Sequence, residues 1–159
     1  MTSTGSSPRD PRMEQGLARR RRVLGEAHVD RALQRASALD APFQAHITRA
    51  VWGDVWTRDA LPLRDRRLLT LALLAALGHH DELAMHVRAA VRDEVTPSEI
   101  AEVMLHTGVY AGIPAANAAL ATVRSVLSDM GHADAEAIED PARVLGVETS
   151  RGDARPADE

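Results

Sequence analysis

Gly78-His79-His80-Asp81-Glu82-Leu83-Ala84-Met85-His86-Val87-Arg88-Ala89-Ala90 is the stretch on which the reading of this chain turns. Its spacing predicts a helix. Leu83, Val87, Ala90 and Val91 recur at helical intervals and make an apolar stripe for burial against neighbouring helices. At about 100° per residue, His79, Glu82 and His86 fall on one narrow stripe beside it. A polar stripe flanking a buried one lies at the edge of a core or in a cleft, where a carboxylate and an imidazole can exchange protons near neutral pH. The same residues also suit the solvated side of an ordinary amphipathic helix, and spacing alone does not separate the two readings.

The elements on either side read as helices too. Upstream, Leu61-Pro62-Leu63 opens a helix predicted over 63–77, closed by Gly78. Its run from Leu68 to Leu77 is apolar all round and reads as a central buried helix. Arginines in its first turns oppose the helix dipole, so Arg66 or Arg67 is expected to serve an anion or a nearby carboxylate. Further back, a helix starts near Pro11 or Arg12 and runs to Leu24, where Gly25 breaks it, and a short one follows over 27–36. Another opens at Asp40 or Ala41 with Pro42 in its first turn. Phe43, Ile47, Ala50 and Val51 keep its helical period, and Trp52 and Trp56 follow, either as core filler or as the wall of a small-molecule pocket.

Downstream, Thr96-Pro97-Ser98-Glu99 has the pattern of a capping box and opens a helix over 97–111, with Ile100, Val103, Met104 and Thr107 inward. His106 and Tyr110 are one turn apart and their side chains can meet. Gly112 and Pro114 are expected to stop that helix. The last strong one spans about 115–130 and begins with Ala115-Ala116-Asn117-Ala118-Ala119, small enough for another helix to approach closely. No stretch alternates as a strand does. The expected architecture is all-α, with six to eight helices in one domain over 12–147. Residues 1–11 and 148–159 read as disordered tails, and 141–147 as a short docked segment.

Composition narrows the chemistry. The chain has 159 residues, is 45% hydrophobic and only 3% aromatic, and carries a net charge of −4. That balance argues against a general nucleic-acid binder. The run Arg19-Arg20-Arg21-Arg22 spreads around a helix, has no stacking aromatics nearby, and reads as a solvated face or subunit contact. There is no lysine, so an anion site must use Arg, His or backbone amides, and the planar arginine fork suits carboxylates. There is no cysteine, which removes disulfides, thiolate nucleophiles and Cys-based metal sites. The polar start and the lack of a long apolar run predict a soluble, cytoplasmic protein.

Four stretches resemble the 4-carboxymuconolactone decarboxylases: Arg20 to Arg31, Ile47 to Arg58, Glu82 to Ala90, and Gly112 to Ala118. They agree in order and spacing, and the resemblance covers roughly 13–130. It implies the all-α alkylhydroperoxidase-like fold and a homo-oligomer, a trimer or hexamer ring. The peroxidase branch of that superfamily carries a Cys-x-x-Cys pair four residues before a histidine. Here those places hold His79 and Glu82 before His86, so thiol peroxidase chemistry is out and proton chemistry is expected.

The reaction so implied is decarboxylation of 4-carboxymuconolactone to 3-oxoadipate enol-lactone, in the protocatechuate branch of the β-ketoadipate pathway. No cofactor is expected, because the lactone is itself the electron sink. The expected roles are Arg66 for carboxylate recognition, His86 as proton donor or enolate stabiliser, and Glu82 to orient His86 or carry the proton. Trp52, His106 and Tyr110 are expected to line the substrate cavity, although core filling explains each as well. His79 and His80 are weaker candidates. His79, Glu82 and His86 have no established metal spacing, and no metal is expected. Two other readings stay open: proton transfer or decarboxylation on a related lactone or enol acid, and a non-catalytic oligomeric binder of an acidic small molecule.

Overall fold

A computed structural model of the chain describes residues 10–93, 95–132, 145 and 146. Among them are seven α-helices, one π-helical segment and no strand. The predicted tails and the docked segment over 141–147 lie almost wholly outside the described residues. Asp10 and Pro11 do not: the Asp10 side chain accepts the Arg12 amide at 3.0 Å and caps α1, Pro11–Leu24.

Gly25, with φ of 91°, separates α1 from α2, Glu26–Gln34. Helix α3, Ala41–Ile47, runs directly into the π-helical segment, Thr48–Val55. There Thr48 Oγ1 donates to the Gln44 carbonyl at 2.8 Å, and the Trp56 amide donates to Val51 O at 3.0 Å, five residues back. Such wide turns are rare and tend to occur at functional sites. This one carries Trp52 and is capped by Trp56.

The segment lies backbone to backbone on α1. A Cβ added at Gly16 would stand 2.1 Å from Thr48 O, and one at Gly53 would stand 2.5 Å from Arg12 O. Only glycine at both places permits that approach.

Helix α4, Leu63–Leu77, has its predicted bounds and ends at left-handed Gly78. That turn leaves His79 as the N-cap of α5, His80–Val91, so His79 precedes the helix instead of sharing the stripe of Glu82 and His86. Helix α6, Pro97–Ala111, opens on the predicted capping box: the Glu99 amide donates to Thr96 Oγ1 at 3.2 Å, and the Thr96 amide to Glu99 Oε2 at 2.9 Å. Pro114 does not stop a helix. It sits in the first turn of α7, Ile113–Asp129, where proline is tolerated. The alanine surface of α7 meets α6 closely, with Ala116 facing Gly108.

The interior has two parts. One cluster, built on Leu71, Leu83, Val87, Ile100, Met104 and Val123, joins α4, α5, α6 and α7. The other, built on Val23, Leu24, Val29, Trp52, Trp56 and Ala89, joins α1, α2 and the π-helical segment to α5. Helix α5 serves both, which places His86 on its side facing the second cluster.

Helix α4 is not buried all round. Leu71 and Ala75 are fully buried, whereas Leu69, Leu73 and Leu77 are 51–66% exposed. Leu105, Val109, Tyr110 and Ile113 extend a second exposed apolar surface along α6 and the start of α7. Contiguous patches of this kind mark interaction surfaces. Among the described residues, no helix is long and apolar enough to cross a membrane.

Candidate active site

The His86 ring lies on the Trp56 indole, with centroids 6.3 Å apart and planes 20° apart. Trp52 supports Trp56 from behind, at 5.0 Å and 33°. Burial among these rings and Ala89 takes water from the imidazole and lowers its pKa from 6.5 to about 4. The charges of Arg67 and His28 push the same way, and Glu82 opposes them. At neutral pH His86 is therefore a neutral imidazole in the free chain, with one N–H to donate and one nitrogen to accept.

Trp56 also lines a cavity of about 160 Å³, together with, among others, Arg19, Arg58, Asp59, Leu61 and Arg66. Three guanidinium groups against one carboxylate make it a place for an anion. Arg66 donates through Nη2 to the Arg58 carbonyl at 3.0 Å, while its Nε is buried with no hydrogen-bond partner. A buried donor without a partner is costly, and a ligand oxygen would satisfy it.

The neighbouring Arg67 does different work. It is 2% exposed, donates to the Val23 carbonyl at 3.1 Å, and pairs with Asp93 Oδ2 at 2.5 Å. Both sequence alternatives for the first-turn arginines are thus used, one facing a cavity and one facing a carboxylate. The arginine run on α1 is likewise not a plain solvated face. Arg19 lines the cavity, Arg21 pairs with Asp30, Arg22 with Asp93, and buried Arg20 donates to Gln44 Oε1 at 3.0 Å and Thr48 Oγ1 at 3.4 Å.

The remaining expected site residues are spread out. Glu82 is exposed one turn before His86, on the same face of α5, and no hydrogen bond joins the two. Trp52 is buried behind Trp56, so the indole that walls the cavity is that of Trp56. His106 and Tyr110 do meet, at 4.8 Å between centroids, but on the exposed side of α6, apart from His86. His80 Nδ1 lies 3.3 Å from Thr122 Oγ1. No group of three His, Asp or Glu side chains able to hold a metal ion occurs among the described residues.

Sequence reasoning missed three residues. Arg58 follows the tryptophans in a loop without periodicity, and Arg19 was masked by its basic run. His28 lines a larger cleft, about 580 Å³, on the flank of α5 between α2 and the end of α7, together with Met85, Arg88 and Arg92. Burial and the charges of Arg31, Arg20 and Arg92 lower its pKa. Only its place in the Arg20 to Arg31 stretch marked it.

A family model described as the carboxymuconolactone decarboxylase family matches residues 41–125, which include Trp56, Arg66, Glu82 and His86. The chain is 46% identical to the 4-carboxymuconolactone decarboxylase of Acinetobacter baylyi over 122 residues, 77% of this chain and 91% of that protein. It is 38% identical to the nitrosuccinic acid decarboxylase of Metarhizium robertsii over 117 residues, 74% and 82% of the two chains. A 4-carboxymuconolactone decarboxylase sequence from Pseudomonas putida matches at 46% over 43 residues, 27% of this chain and 90% of that one.

Proposed function

Since this chain belongs to the carboxymuconolactone decarboxylase family, we propose that it decarboxylates 4-carboxymuconolactone to 3-oxoadipate enol-lactone, in the protocatechuate branch of the β-ketoadipate pathway. The observation that carries the reading is a half-buried imidazole and an arginine-lined cavity that share one indole.

The substrate bears a carboxylate and a carboxymethyl group on one ring carbon. Breaking the bond to the carboxylate releases CO2 and leaves an electron pair, which moves through the ring alkene onto the lactone carbonyl oxygen. Protonation of the dienolate at the carbon next to that carbonyl completes the reaction. The protein has to hold the spectator carboxylate, stabilise the oxygen and deliver one proton.

Arg66 holds the carboxymethyl carboxylate. The reacting carboxylate is left unpaired, since a cation there would stabilise the ground state more than the transition state. His86 donates its N–H to the developing enolate oxygen. A dianionic substrate beside the ring opposes the desolvation and raises the proton affinity of His86, which can then take a proton and pass it to carbon. Glu82, exposed one turn away on the same helical face, is the entry point for that proton. Trp56, backed by Trp52, shapes the apolar wall. Tyr110 and His106 join the site only through assembly, if their exposed surface meets another copy.

The exposed leucines of α4 and the apolar surface of α6 suit a homo-oligomer, a trimer or hexamer ring. A second substrate reading rests on the relative named for nitrosuccinic acid: the same scaffold acting on a different acid. The test is a turnover assay without added metal or cofactor, following CO2 release and enol-lactone formation from 4-carboxymuconolactone generated in situ. Rapid release supports the first reading. No release from folded protein rejects it and turns attention to nitrosuccinate and related lactones.

A further inference from the structure

Arg20 stands at the junction where α-helical turns give way to the wide ones. Its Nη1 donates to Oε1 of Gln44, in α3, at 3.0 Å, and to Oγ1 of Thr48, the first residue of the π-helical segment, at 3.4 Å. Arg20 is 6% exposed, pairs with no carboxylate among the described residues, and leaves its Nε buried without a partner. An uncompensated charge is costly to bury, and a neutral side chain would fill the same space without that cost.

Thr48 Oγ1 also donates to the Gln44 carbonyl, 2.8 Å away. That bond alone does not widen a helix, since Thr70 and Thr107 make the same one inside ordinary α-helices. What sets Thr48 apart is its seat on α1. Arg12, Gly16 and Arg20 recur every four residues and form one ridge of that helix. The Arg12 carbonyl closes on Gly53, Gly16 on Thr48 O, and the Arg20 guanidinium on Thr48 Oγ1 and Gln44. The first two contacts are backbone on backbone and set only the distance of approach. Arg20 grips side chains, and so fixes the register.

We infer that Arg20 is a positioning residue for the indoles of the site: by gripping Gln44 and Thr48 it sets the register of the wide turn. With that register go the packing of Trp52 on Trp56 and the stack of Trp56 on His86. Trp52 lies four residues past Thr48 and Trp56 eight, so a slip at Thr48 is carried to both rings. Arg20 does not touch the substrate; it acts through the turn. The effect on turnover rests on the proposed reaction, and the effect on indole geometry does not.

The chain has two tryptophans, packed on each other, with one tyrosine and one phenylalanine, so its near-ultraviolet circular dichroism reports that pair. The experiment records this band and steady-state kinetics for the full chain and for Arg20→Met, Thr48→Val and Gln44→Glu, each well below its melting temperature. Arg20→Met and Thr48→Val are expected to lose most of the tryptophan band while keeping their helical signal. Their kcat on 4-carboxymuconolactone is expected to fall by about 10- to 100-fold, the scale of a misplacement of about 1 Å. Gln44→Glu keeps the acceptor and is expected to retain both readouts; loss of the band there overturns the inference. A residue that only stabilises the fold would lower the melting temperature and leave band and kcat of the folded protein unchanged. That result in Arg20→Met overturns the inference. Should Arg20→Met not fold, Thr48→Val decides, since it removes only the hydroxyl that Arg20 holds, and a wild-type band in it overturns the inference. If every protein, wild type included, fails to turn over the lactone while the bands change as stated, the proposed reaction falls and the role of Arg20 stands.

Discussion

His86 and Trp56 lie ring on ring, 6.3 Å between centroids and 20° from parallel, and this contact joins α5 to the wall of the arginine-lined cavity. Each ring restrains the other. The indole fixes the plane in which the imidazole N–H can point, and the imidazole closes one side of the indole to water.

Removing either half of that arrangement should cost activity in different ways. His86→Ala is expected to lower kcat by at least about 10²-fold, the lower end of what a positioned proton-transfer group supplies. Turnover near the wild-type rate would remove His86 from the mechanism.

Arg66→Met is expected to act mainly on binding. A charge-assisted hydrogen bond contributes about 1.5–3 kcal/mol, so KM should rise by roughly 10- to 100-fold with a smaller change in kcat. Steady-state kinetics over a wide substrate range separates the two parameters, and an unchanged KM rejects the assignment.

Acid should destabilise the fold before the carboxylates titrate. The folded chain holds His86 at about 4 instead of 6.5, so below pH 6.5 the unfolded chain binds a proton that the folded one refuses. The stability this represents is present above 6.5 and is lost as pH falls toward 4. At about 1.4 kcal/mol per tenfold change in proton affinity, it reaches about 3 kcal/mol. Asp93, held below its usual range chiefly by the Arg22 and Arg67 hydrogen bonds against its own desolvation, adds a loss in the same direction at lower pH. Urea unfolding across this range measures the slope, and His86→Gln should flatten it between 6.5 and 4.

The exposed leucine face of α4 gives an independent test of assembly. Leu73 is 60% exposed in the single chain, so Leu73→Arg should leave the helix intact while breaking any contact made there. Sedimentation is expected to show the variant as a smaller species than the wild type. A monomeric wild type would reject the oligomer outright.

Much of the fold is legible in the chain because its punctuation is strong. Pro62 and Gly78 bound α4, and Thr96 and Glu99 open α6. The π-helical segment was not legible, because over eight residues its period differs too little from that of an α-helix to shift the apolar pattern. The burial of α4 was overestimated for a related reason: an apolar side chain looks the same whether its partner lies within the chain or in another one. The shared face of Glu82 and His86 was legible because both lie on one helix. Arg66 and Arg67 could not be told apart, since adjacent residues point about 100° apart and only the surrounding helices decide which one meets a carboxylate. Arg19, Arg58 and His28 reach the site region from separate elements, and no spacing in the sequence announces them.

The two glycines that let α1 and the tryptophan-bearing turn touch also divide the molecule for anyone wishing to alter its substrate. Positions 16 and 53 are closed to every residue with a Cβ, so libraries that include them will yield misfolded chains instead of new specificities. Leu61, Arg58 and Arg19 line the cavity, and none of them is among the atoms that crowd those two glycines. Pocket shape and frame can therefore be varied separately, with the frame left untouched.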